Sequence, residues 1–472
     1  MLDKFQEMLS TLDSYMYYPI LIIILALGGL YFSFRTRFVQ IRYFIESIRV
    51  LREKPSKDSN VSSFQALMVS TASRVGTGNI IGVSTAVCLG GPGAVFWMWI
   101  LAIIGGASAF IESTLAQIYK KRNPDGTSYG GPAYYIEQAM NNHFLAGLFA
   151  VFLISTYAFG FNMVCSYNLQ STFAEYSFYN ENITPWIIGG LMAVLVCICI
   201  LGGGKSIERV SSIIVPFMGI FYLAIALIVI FVNYKNIPGM FGIIFADAFD
   251  FRSISSGIAG SCLIYGIKRG LYSNEAGVGS APNAAAAADV SHPVKQGLVQ
   301  TLSVYIDTLI LCTATAFMCI ASGAERTEAV AGAPYVQNAV SSVFGSIGPI
   351  FITVAMILFA FTTLIGNLYY TNNALAFLNK KKMPSKTFMT VYRIICVIVI
   401  FIGAGLSMEA AWALADITMG LMTLINIPCC IILGGVAFKA LRDYESQKKE
   451  NINPVFKAKK IGIDSEKLDF WK

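Results

Sequence analysis

Charge is scarce in this chain of 472 residues. Asp, Glu, Lys and Arg together make up 13% of it, about half the share of a soluble globular domain. That leaves no stretch able to form a sizeable water-exposed domain. Histidine is nearly missing, with His143 and His292 the only two, so no histidine-rich metal site is expected. The ten cysteines contain no CxxC pair and mostly fall inside apolar runs. They read as packing residues. No Ser/His/Asp or paired-carboxylate set gathers on a common aqueous face, so an enzyme is not expected. Gly202-Gly203-Gly204-Lys205-Ser206 ends like a phosphate loop, but Cys199 stands where its first glycine belongs and no strand precedes it. Gly76, Gly78 and Gly82 miss the dinucleotide spacing. No organic cofactor and no nucleic-acid partner are expected. The net charge of +7 lies in loops that flank apolar runs, where it sets membrane orientation.

What the chain has is long apolar runs, 56% of the residues being hydrophobic. The first, 15–34, is followed by basic residues and lacks a small-residue cleavage site, which makes it a span and not a removable signal. About 20 apolar residues cross the hydrocarbon as a helix. Eleven spans are expected, at 15–34, 64–89, 94–118, 145–172, 185–201, 210–232, 254–281, 296–322, 347–373, 389–406 and 411–436. With the N-terminus outside, 26 of the 34 Lys and Arg residues fall in inside loops and four (Lys4, Lys235, Arg252, Arg326) outside. The positive-inside rule then places the C-terminus in the cytoplasm. The stretch from Lys439 to Lys472 reads as a solvated tail.

Two spans are interrupted by polar and glycine-rich segments. Val75-Gly76-Thr77-Gly78-Asn79 lies in the middle of the second. Gly266-Ile267-Lys268-Arg269-Gly270, followed by Ser273 to Gly279, lies in the seventh. Irregular backbone survives in a membrane only where it lines a cavity or is buried in protein. Unwound carbonyls can coordinate a cation, and freed N–H groups can bind a carboxylate. Close helix packing through small residues is the structural alternative at the first break. At the second, Lys268 and Arg269 either reach an interface or need counter-ions, for which Glu112, Glu275 and Asp307 are candidates. The breaks are five spans apart, and five is odd. The halves 64–232 and 254–436 are therefore expected to be inverted repeats, with residues 1–63 as an extra helix plus a basic loop and 437–472 as a basic tail. Thr362 and Thr363, in the ninth span, can add hydroxyl oxygens to a cation held at the first break. Residues 323–346 can form a short external helix over the site.

At 90–105 the chain reads GGPGAVFWMWILAIIG. This resembles the signature of the alanine or glycine:cation symporters, the sodium:alanine symporter family, at every position. SYGGPAYYIE (128–137), GIKRGLYSNEAGVGSAP (266–282) and HPVKQGLVQ (292–300) are similar to further family strings. The resemblance spans about residues 15–436. It implies an all-α LeuT-type fold of five plus five inverted helices with one extra N-terminal helix. It also implies Na⁺-coupled, rarely H⁺-coupled, import of a small neutral amino acid by a plasma-membrane protein. Carried over by position, Gly76, Thr77, Gly78 and Asn79 would meet the substrate carboxylate. Leu271, Tyr272 and Asn274 would line the pocket from the second break. Ala72, Val75 and Phe359 would offer Na⁺ their carbonyls, and Thr362 and Thr363 their hydroxyls, with Thr363 also near the substrate. Two positions depart from the family pattern: Cys165 where a Gln is common, and Asn367 where a Trp is common. Both changes remove bulk, which leaves room for glutamine or serine. A monomer is expected, embedded in lipid. A proton carried on Glu112, Glu275 or Asp307 is the rival coupling, and a cation channel is the rival class; no repeated selectivity loop supports a channel.

Overall fold

The computed structural model describes residues 2–56, 60–123, 126–201, 203–250, 262–380 and 382–471. The expected segment 254–261 lies outside these residues, as do Lys57, Arg252, Lys381 and Lys472 of the charge count. In chain order the main helices are α1 (Gln6–Arg35), α2 (Ser63–Arg74), α3 (Val83–Leu89), α4 (Gly93–Ile118), α5 (His143–Ser171), α6 (Thr184–Leu201), α7 (Gly203–Val232), α8 (Cys262–Asn274), α9 (Pro293–Ala321), α10 (Ile347–Leu378), α11 (Lys386–Gly403) and α12 (Met408–Lys449). Eight of them, α1, α4, α5, α7 and α9 to α12, are long and apolar enough to cross a membrane. The expected spans 64–89, 185–201 and 254–281 correspond to the interrupted pair α2–α3, to the shorter α6, and to α8 with the irregular chain after it.

The first break falls where expected. A capping box starts α2, with Ser62 Oγ accepting from Gln65 N (3.1 Å) and Gln65 Oε1 accepting from Ser62 N (2.9 Å). Val75 leaves the helix with ψ 84°, and a wide turn over Gly78–Gly82 leads into α3. The second break is displaced. α8 runs unbroken through Gly266, Lys268, Arg269 and Gly270 and ends at Asn274. The chain then unwinds with φ of 50° at Glu275, 86° at Gly277 and 92° at Gly279 before Pro282 opens a short helical turn. Two glycines in the left-handed region make this unwinding cheap. Lys268 and Arg269 stay helical because their charges are met by neighbouring helices, as the site shows.

α4 and α9 are the central rods, two-thirds buried along their apolar windows, while α7 and α11 are peripheral. The periphery presents large side chains such as Ile198, Phe217, Ile220 and Ile394 outward, which suits a lipid-facing surface. Helix contacts in the middle are tight: a Cβ on Gly266 would lie 2.6 Å from Ala94 O. The helix Ile237–Ala248, which the sequence reading missed, is anchored on α4 by Gly93 N donating to Asp247 Oδ2 (2.6 Å). The external helix expected within 323–346 is present as Ala333–Phe344. It ties α3 to α5 through Ser84 Oγ donating to Gly332 O (2.6 Å) and Gln337 Nε2 to Thr172 O (2.8 Å).

The expected solvated tail is not one. α12 continues to Lys449, and residues after it fold back and bury Phe456, Ala458, Ile461 and Leu468. These apolar positions lie among the lysines at 457, 459, 460 and 467, which masked them in a reading by charge.

Packing at Gly266 generates a prediction. Gly266→Ala should cost about 1–3 kcal/mol through overpacking against backbone. Gly147→Ala, where a Cβ meets nothing within 4 Å, should be neutral or slightly stabilising. Thermal unfolding in detergent of the two variants should separate them clearly; equal midpoints would contradict the close α8–α4 contact.

Candidate functional site

The two breaks meet at the centre of the bundle. In the first, Asn79 acts as a staple: its Oδ1 accepts from Gly76 N (2.8 Å), and its Nδ2 donates to Asp307 Oδ1 (2.7 Å) on α9. Asp307 also accepts from Ser273 Oγ (3.0 Å) on α8 and Thr308 Oγ1 (2.7 Å). One buried carboxylate thus joins both interrupted helices to α9 through neutral donors. Asn274 donates to Thr308 Oγ1 (3.3 Å) and its Oδ1 accepts from Ala276 N (3.0 Å), capping the end of α8. Thr77 Oγ1 accepts from Asn168 Nδ2 (3.0 Å) on α5. The Tyr272 ring lies against Gly78, where a Cβ would sit 2.7 Å from it. Leu271 is fully buried beside it.

α10 closes on the first break from the other side. A Cβ on Gly366 would come within 2.9 Å of Ser73 N, and a Cβ on Gly76 within 2.0 Å of Thr363 Oγ1. Glycine at 366 lets two backbones approach, and glycine at 76 leaves room for the Thr363 side chain. Ala72, Val75 and Phe359 are buried in this contact. Thr362 Oγ1 donates to Leu358 O (3.0 Å) or Phe359 O (3.1 Å), the ordinary back-bond of a helical threonine. Thr363 Oγ1 is buried and has no partner among the described residues. An unpartnered hydroxyl facing unwound backbone is an oxygen available to a cation.

The departures Cys165 and Asn367 are both packed into this region. Cys165 Sγ reaches Ala360 O (3.5 Å). Asn367 Oδ1 accepts from Ser73 Oγ (2.8 Å), and its Nδ2 donates to Asn162 Oδ1 (3.0 Å). Asn367 therefore bridges α2, α5 and α10 by hydrogen bonds, a role an indole would not fill in the same way.

A second polar layer lies next to the breaks. Glu275 Oε1 lies 2.9 Å from the same Ser73 Oγ, whose one proton goes either to it or to Asn367 Oδ1, and Glu112 on α4 accepts from Asn426 Nδ2 (2.7 Å) and Gly277 N (3.3 Å). Buried Arg74 donates from Nη1 to Gln300 O (3.3 Å), while its Nε and Nη2 lack partners among the described residues. With Asp307, this interior holds three carboxylates and one guanidinium.

None of those carboxylates pairs with Lys268 or Arg269, contrary to the candidates the sequence offered. Arg269 Nη2 pairs with Asp416 Oδ2 (3.1 Å) on α12, and its guanidinium stacks 3.8 Å above the Trp412 ring. Lys268 pairs with Asp13 on α1 and lies over the Tyr17 ring. The reason is helical phase: these two side chains point towards α12 and α1, away from α9. Stacked beneath them, Trp412 meets Tyr272 (4.7 Å between ring centroids) and Tyr272 meets Phe161 (4.5 Å). An aromatic layer and an ion-pair layer therefore close the site on one side. A cavity of about 320 Å³ opens above Arg269 and Asp416. Sequence reasoning missed Asp416, Asp13, Trp412 and Asn168. Asp416 is the only charged residue in the expected span 411–436, but so are Glu112 in 94–118 and Asp307 in 296–322, so the sequence does not single it out.

Helices interrupted in pairs around a buried centre, with an added N-terminal helix, define a LeuT-type membrane transporter and not an enzyme. The fold is similar to that of MhsT in complex with L-phenylalanine, with a TM-score of 0.57 at 15% identity over 89% of this chain and 97% of that one. The chain belongs to the sodium:alanine symporter family, whose model matches residues 2–458. It is 45% identical to a probable sodium/glutamine symporter, GlnT of Bacillus subtilis (strain 168), over 93% of this chain and 90% of that protein. Its identity to the amino-acid carrier AlsT of the same strain is 42%, covering 98% and 97%. To the sodium/alanine symporter AgcS of Methanococcus maripaludis it is 33%, covering 94% and 98%.

The Arg269–Asp416 pair generates a prediction. Asp416→Asn should destabilise by about 3–5 kcal/mol, because it strands a buried guanidinium. Adding Arg269→Gln should recover part of that loss. A double-mutant cycle on thermal unfolding measures this, and simple additivity of the two losses would count against the pair.

Proposed function

We propose that the protein imports a small neutral amino acid of the alanine or glycine type together with Na⁺, by alternating access. The observation that carries this is the contact between Gly76 and Thr363. It sets an unwound backbone beside a buried, unpartnered hydroxyl. Na⁺ is assigned to the carbonyls of Ala72, Val75 and Phe359 with the hydroxyls of Thr362 and Thr363. The Thr362 back-bond uses that hydroxyl's proton and leaves oxygen lone pairs for the ion. The substrate carboxylate is assigned to the amides of Thr77 and Gly78, since that of Gly76 is already committed to Asn79. Leu271, Tyr272, Asn274, Cys165 and Asn367 complete the pocket.

The halves 64–232 and 254–436 are the units that rock. The aromatic layer and the Arg269–Asp416 pair act as the outer closure, and the tail-bearing face is cytoplasmic, as the loop charges favour. A membrane potential of 100 mV contributes about 2.3 kcal/mol for each Na⁺ charge that moves inward. Glutamine is the second reading. It is favoured by the lost bulk at Cys165 and Asn367 and by the name of the GlnT relative.

Replacing Thr362 and Thr363 together by Ala should abolish Na⁺-dependent uptake in proteoliposomes; undiminished Na⁺ dependence would refute the ion site. Uptake with Na⁺ and pH gradients imposed separately should follow the Na⁺ gradient. Competition by a panel of neutral amino acids decides the substrate, with strict alanine and glycine preference removing the glutamine reading.

A further inference from the structure

The residues after α12 form a built surface on the inner face, part of it beyond residue 458, where the family match ends. Ser291 Oγ donates to Pro454 O (2.8 Å), and Phe456 N donates to Ser291 O (2.9 Å), at the mouth of α9. Lys295 Nζ bridges Asn453 Oδ1 (2.7 Å) and Glu53 Oε2 (2.6 Å), so the tail is tied to the chain that leads into α2. At the end of α4, Trp471 Nε1 donates to Gln117 O (2.8 Å), and Lys120 Nζ lies 4.7 Å from the Phe470 ring centroid. Asp469 pairs with Lys121 (3.3 Å) in the hairpin after α4. One peptide thus straps the ends of α4 and α9 and the approach to α2.

The strap covers a second set of bonds. Asp289, after the second break, accepts from Ser56 N (2.7 Å) and Asn60 Nδ2 (2.8 Å), and Asp289 N donates to Val61 O (2.9 Å). Lys120 Nζ and Gln117 Nε2 donate to Ala288 O (3.0 and 2.8 Å). These bonds hold the start of α2 against the chain that follows the second break. Inward release requires that contact to part. The same Gln117 and Lys120 that grip Ala288 are held in turn by Trp471 and Phe470.

We propose that residues 451–471 are a lock on the inner gate, with Trp471 and Phe470 as positioning residues that act through Gln117 and Lys120. The lock biases the carrier towards its inward-closed form. The inference rests on the carrier reading above, but its primary test does not require transport.

The test uses the full-length protein, a truncation after Glu450, and the milder variant Phe470→Leu with Trp471→Phe, which keeps apolar bulk but removes the indole donor. Hydrogen–deuterium exchange should quicken about tenfold or more at residues 60–66 and 285–291, with exchange in α7 and α11 unchanged. The Na⁺ concentration for half-maximal uptake should rise about threefold or more, because Na⁺ then works against a more populated inward-open form. Unchanged exchange at 60–66 and 285–291 in both variants would overturn the lock. Equal acceleration throughout the bundle would overturn it too, as a general loss of stability. Faster local exchange in a protein that takes up none of the amino acids tested would support the lock while counting against the symport reading.

Discussion

Inside a bilayer every backbone amide and carbonyl must find its partner within the protein. The rest of this structure depends on how that constraint is met at two places where the helix is given up. At the first, the Asn79 side chain replaces the missing helical partner of Gly76 N and passes the connection on to Asp307. At the second, Ser273 bonds the same carboxylate, Asn274 caps the helix end, and Glu112 accepts the Gly277 amide. The polar residues at the centre are first of all substitutes for lost backbone bonds. The Thr363 hydroxyl beside them has no partner among the described residues.

This explains which parts were legible in the sequence. Span positions follow from apolar runs of fixed length, and the first break follows from two glycines and an Asn in the middle of one such run. The second was misplaced by a few residues, because glycine marks where a helix can break and not where it must. Gly266 and Gly270 turn out to be contact glycines that let α8 approach α4, with Cβ clearances of 2.6 and 3.2 Å. The unwinding falls on Gly277 and Gly279, where φ is positive. Spacing alone does not separate these two uses of glycine.

Partners across the bundle were the least legible. Arg269 finds Asp416 147 residues away, and Lys268 finds Asp13 255 residues away. Both depend on the rotation of α8 about its axis. Charge economy does not narrow the choice, since Glu112, Asp307 and Asp416 are each the only charged residue of their expected spans. The structure separates them: neutral donors from three segments surround Asp307, whereas Asp416 meets the Arg269 guanidinium.

The folded tail extends the same reasoning to the end of the bundle that carries it. Outside the bilayer an unmade backbone bond can be met by water, so the bonds that Pro454, Phe456 and Trp471 make are not obligatory as those at Asn79 are. Bonds that water can replace are weak enough to exchange during a transport cycle. The side of Arg269 and Asp416 is closed by buried ion pairs and stacked rings, where the alternatives to pairing are expensive. The side that carries the tail is held by exchangeable polar contacts around Asp289 and by the segment packed above them. A carrier closed by different chemistry on its two faces can have the stability of each closed form set separately, and residues beyond the family match are where such adjustment disturbs the cargo site least.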